Sequence, residues 1–61
     1  MRTDSYILPL SDKTANVIRR IALIVPCFIS LCDALDGYGK YTIEARQEDW
    51  GWIEKQLASI V

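Results

Sequence analysis

The chain has 61 residues, a formal net charge of −1, two cysteines and no histidine. A chain this short makes one domain, residues 1–61, and buries only about 60% of the surface that its unfolded form exposes, so a homodimer contact or a larger protein partner is expected to add stability. Without histidine the usual general acid–base and the commonest metal ligand are missing, so no enzyme, no cofactor and no metal site is expected.

The N-terminus, Met1-Arg2-Thr3-Asp4, is polar and carries no targeting pattern, and two reduced cysteines in apolar surroundings suit a cytoplasmic protein. Ser5 to Leu10 has β-forming residues interrupted by Pro9, which points to an edge strand or a strand end with Tyr6, Leu8 and Leu10 on one face. Ser11 or Asp12 then offers an N-cap, and Lys13 to Val25 has helical period. Its apolar stripe is Thr14, Ala15, Ile18, Ile21, Ala22 and Val25; Asp12, Lys13, Asn16, Arg19 and Arg20 form the polar side.

From Ile21 to Cys32 no residue is charged. A membrane-spanning helix needs about 20 apolar residues, so this run reads as core, divided at Pro26, and no membrane association is expected. Two readings compete for the residues after Pro26. As a helix, Phe28, Leu31, Cys32 and Leu35 form a stripe and Gly37 is a C-terminal stop. As a strand, Phe28 to Leu35 meets the hairpin dipeptide Asp36-Gly37 and pairs with Tyr41 to Ala45. The helix is preferred, because a strand would mix Asp33 with Ile29, Leu31 and Leu35 on one face.

Tyr41, Ile43 and Ala45 alternate with Thr42, Glu44 and Arg46, as in a half-buried strand. A last helix follows, with Glu48 and Asp49 in its first turn and Trp50, Ile53, Leu57, Ile60 and Val61 toward the core. The expected fold is α+β, a single small domain of order β-α-α-β-α with a two-stranded sheet covered by helices; the alternative is β-α-β-β-α with a three-stranded sheet.

Residues that this fold does not require are the candidates for partner binding. Leu23 falls in the middle of the polar face of the first helix. Trp52 lies opposite Trp50 in the last helix, and tryptophan is enriched in binding hot spots. Acidic residues concentrate in the C-terminal half: residues 1–30 hold four basic and two acidic side chains, residues 31–61 three basic and six acidic. Asp33, Asp36, Glu44, Glu48, Asp49 and Glu54 could together present a phosphate-like array to a basic groove. Lys13, Arg19 and Arg20 are too few for a nucleic-acid footprint, so direct nucleic-acid binding is not expected.

The expected function is therefore that of a small acidic interaction protein that binds and inhibits or modulates a larger protein, blocking a nucleic-acid site on it. In size and character the chain is similar to the compact inhibitors that phages and mobile elements direct at host machinery, anti-CRISPR inhibitors among them. The alternative is a dimeric DNA-binding regulator: over residues 5 to 36 the order strand, Leu10-Ser11-Asp12 turn, helix, helix resembles ribbon-helix-helix proteins, whose paired strands read the major groove. The chain departs from that pattern in Ser5, Ile7 and Pro9 on the outward strand face, and in Val25-Pro26 where a glycine turn belongs.

Overall fold

The computed structural model describes residues 1–60; the expected core position of Val61 lies outside the described residues. Three strands, β1 (Arg2–Pro9), β2 (Cys27–Leu35) and β3 (Tyr38–Ala45), and two helices, α1 (Asp12–Ile24) and α2 (Trp50–Ala58), follow in the order β1-α1-β2-β3-α2, with a short 3-10 turn at Gln47–Asp49 before α2. The sheet order is β1-β3-β2, and both outer strands run antiparallel to β3. This is a small α+β domain with a three-stranded sheet, so the two-stranded β-α-α-β-α order is corrected. The second helix of a ribbon-helix-helix arrangement is replaced by β2.

The correction at residues 27–35 has a local cause. In β2 the register is regular from Cys27 to Leu31, slips at Cys32, and resumes with Asp33 opposite Lys40 and Leu35 opposite Tyr38. A β-bulge of one extra residue reverses which face the following side chains take. Asp33 and Leu35 therefore turn to the face away from Ile29 and Leu31, and the mixing of charge with apolar residues that argued against a strand disappears. Asp36 and Gly37 both have positive φ, 54° and 80°, as a two-residue type I′ hairpin turn requires.

The first helix begins where Ser11 Oγ accepts the Thr14 backbone N–H at 3.3 Å, an N-cap worth about 1 kcal/mol. It ends at Val25, which is extended (φ −119°, ψ 145°) because the following Pro26 disfavours helical geometry at its predecessor. No helix among the described residues is long and apolar enough to cross a membrane.

Both helices cover one face of the sheet. The core comprises Leu8, Val17, Ile21, Ile43, Ala45, Trp50, Ile53, Leu57 and Ile60, with Tyr6, Ile18, Ile29 and Tyr41 packed against it. The buried side of α1 is Thr14, Val17 and Ile21; the expected stripe was displaced, since Ala15 and Ala22 are exposed and Val17 takes the core position. Leu10 lies beyond the end of β1 and is half exposed. Gly39, buried in β3, is a place of close approach: a Cβ there would lie 2.6 Å from Leu31 Cδ1 and 2.9 Å from Leu10 Cδ2. Gly51 needs no such explanation, for nothing lies within 4 Å of a Cβ at that position.

Candidate functional site

The strand register assigns each side chain to one of two sheet faces. Opposite the helices, the open face carries Thr3, Ser5 and Ile7 of β1, Tyr38, Lys40, Thr42 and Glu44 of β3, and Phe28, Ser30, Asp33 and Leu35 of β2. Neighbouring polar groups on it are hydrogen-bonded. Thr3 Oγ1–H donates to Glu44 Oε2 at 3.2 Å, Ser5 and Thr42 share a bond of 3.2 Å, and Thr42 Oγ1 lies 3.1 Å from Cys32 Sγ. At the hairpin end the face forms a shallow open depression of ≈ 500 Å³ where Ile7, Leu35 and Tyr38 surround Asp33, Asp36 and Lys40.

Of the acidic residues expected to form one array, the fold brings Asp33, Asp36 and Glu44 onto this face. Asp33 Oδ1 accepts the Ala34 backbone N–H at 2.9 Å, Asp36 occupies the turn, and Glu44 lies four residues along β3 from Lys40, about 13 Å at the strand rise. Glu48 and Asp49 lie elsewhere, in the 3-10 turn that leads into α2, where Arg46 reaches Asp49 at 2.8 Å and Glu48 at 3.5 Å. Trp52 is half-buried against the core. Leu23 is 80% exposed in the last turn of α1, because the segment after it becomes β2 rather than a helix folding back over it.

Comparison with protein-family models, with curated proteins and with solved structures finds no match to this chain. The chemistry of the face therefore has to be judged from its own atoms. Its apolar members, Ile7, Phe28, Leu35 and Tyr38, were not among the residues expected to bind a partner, although the Asp36-Gly37 turn already implied that Leu35 and Tyr38 stand opposite each other. Among the described residues no three side chains of the metal-ligating types converge.

The two thiols differ in a way that can be measured. The Cys32 pKa lies below the ordinary thiol value, because the Thr42 hydroxyl and then the Ser30 hydroxyl donate to the thiolate; Cys27 is pushed up by burial and then by the charge of Asp49. Only the thiolate is nucleophilic. At pH 7 iodoacetamide is expected to label Cys32 about tenfold or more faster than Cys27. Thr42→Val should slow Cys32 and leave Cys27 unchanged, as read by peptide mass spectrometry over time.

Proposed function

We propose that the chain is a non-enzymatic interaction protein that binds a larger, nucleic-acid-binding protein through the open sheet face and inhibits or modulates it. The observation that carries this reading is the make-up of that face: three acids, Asp33, Asp36 and Glu44, against one cation, Lys40, beside exposed Ile7, Phe28, Leu35 and Tyr38. Apolar side chains supply area to bury. Carboxylates fixed on a sheet supply the complement to a basic groove, where they favour encounter and register and exclude acidic competitors. An inhibitor of host defence carried by a phage or mobile element is the specific form of this reading, supported by the size and charge of the chain.

Glu48 and Asp49, held by Arg46, and the outlying Leu23 and Trp52 have no part in this face. The test is affinity capture from the source cell with three baits: the natural chain, Asp33→Lys/Asp36→Lys/Glu44→Lys, and Glu48→Lys/Asp49→Lys. A basic protein retained by the first and third baits, and bound about 100-fold more weakly by the second, is the expected result. Equal retention by all three would reject the acidic face as the docking surface.

A further inference from the structure

The sheet has two outer edges, and they differ. The β1 edge carries Arg2 and Asp4, which pair with each other at 2.7 Å, and it ends at Pro9. Charged side chains and proline are the features by which edge strands discourage pairing with another chain. On the β2 edge the regular stretch from Cys27 to Leu31 has neither. The bulge at Cys32 and the charge of Asp33 guard only the far half of β2.

The helix above this edge is also incompletely covered. Arg20 Nη1–H donates to Gln56 Oε1 at 2.9 Å, which turns one side of α1 toward α2. At 100° per residue Ala15, Ile18 and Ala22 lie on the other side, above β2, on which α1 packs. Ala15 and Ala22 are exposed there, and Leu31 beneath is 52% exposed. The apolar stripe of α1 is thus wider than the sheet that supports it, and the surplus lies over the unguarded edge.

The geometry points to a second copy of this chain as the occupant of that edge, paired antiparallel through Cys27–Leu31 into a six-stranded sheet. An edge strand presents unpaired backbone N–H and C=O groups, whose complement is another strand. An isologous contact places each residue of the strand against the same strand of the other copy. Centred on Ile29, the pairing sets Ile29 against Ile29 of the second copy, Phe28 against Ser30 and Cys27 against Leu31. No like charges meet anywhere in it. Because the opposite edge is guarded, the sheet closes as a dimer and does not extend into a fibre.

The contact is small. Five residues span about 17 Å of edge, and the shorter extents of the chain are 19 and 17 Å, so each copy contributes only a few hundred Å². That is the weak end of the range for specific interfaces, and the dimer should dissociate on the order of 10–100 µM. Both open faces remain uncovered and lie side by side on one surface of the dimer.

Sedimentation velocity over about 1 µM to 1 mM tests the inference with the full chain. A monomer–dimer transition is expected for the natural chain, and also for Ile7→Lys/Leu35→Lys, which alters only the open face. Leu31→Lys/Ala22→Glu, at two exposed edge positions, should remain monomeric while keeping its circular dichroism spectrum. The register has its own readout: Leu31→Cys/Cys32→Ser sets a thiol opposite Cys27 of the second copy, and oxidised glutathione should then link the copies covalently. Within one chain these two positions, four residues apart on a strand, are about 13 Å from each other and cannot bridge. A monomer at every concentration would overturn the inference, and so would a dimer lost in Ile7→Lys/Leu35→Lys but kept in Leu31→Lys/Ala22→Glu.

Discussion

Trp50→Ala is expected to remove a third or more of the stability of the chain at 25 °C. Trp50 is 1% exposed and is the largest side chain in the core. From the first position of α2 it also ties that helix to β1. Its ring stacks on Tyr6 of β1 with centroids 6.1 Å apart, the Arg2 guanidinium lies 4.4 Å above it, and its Nε1–H donates to the Arg2 carbonyl at 3.2 Å. Truncating a buried tryptophan costs about 3–5 kcal/mol, and at ~0.05–0.15 kcal/mol per residue the whole chain has about 3–9 kcal/mol to lose. Trp50→Phe retains most of the burial but removes the donor to Arg2 and should lower stability by about 1–3 kcal/mol. Urea titrations followed by circular dichroism decide the matter. A cooperative Trp50→Ala transition with a near-natural midpoint would mean that α2 and β1 are held together by other contacts.

Period and capping made most of the fold legible. The strand alternation at Tyr41, Ile43 and Ala45, the Ser11 cap and the apolar spacing of the last helix each depend on a few neighbours, and each is found in the structure. What was hidden depends on pairing. The bulge at Cys32 is a relation between β2 and β3, and within one strand it looks like a broken alternation that helical period fits better. Asp36-Gly37 carried two meanings, a helix stop and a hairpin turn. A helix terminus needs one residue in the left-handed region, whereas this turn uses two. The stripe of α1 was misplaced toward Ala15 and Ala22 because nothing local reveals that, among the described residues, no element stands beyond β2 to cover them.

The candidate site was less legible than the fold, for the same physical reason. Asp33 and Glu44 are eleven residues apart and share a face only because the hairpin folds them together and the bulge turns Asp33 outward. Glu48 and Asp49 belong to the same acidic stretch of sequence, yet the turn after β3 carries them off the sheet and Arg46 holds them. Counting acids in the C-terminal half could not separate the two sets. Leu23 differs: its place on the polar side of α1 followed from helical phase alone, and it is exposed in the structure.

The hairpin turn provides the second large effect, since it decides between the two readings of residues 27–37. Gly37 sits at φ 80°, and its carbonyl accepts the Leu10 backbone N–H at 2.7 Å, so the turn is fastened to the junction of β1 and α1. A side chain in the left-handed region costs about 1–2 kcal/mol, and a β-branched one is a steric outlier there. Gly37→Val should therefore lose about 2 kcal/mol or more, roughly a fifth or more of the stability expected for this length. Gly37→Asn should lose less than about 1 kcal/mol, since asparagine tolerates that conformation. Urea midpoints are expected to fall in the order natural chain, Gly37→Asn, Gly37→Val. Were Gly37→Val as stable as the natural chain, the paired positive-φ turn could not be the one that closes β2 on β3. Asp33 and Glu44 would then have no reason to share a face, and the proposed acidic docking surface would fail with the hairpin that builds it.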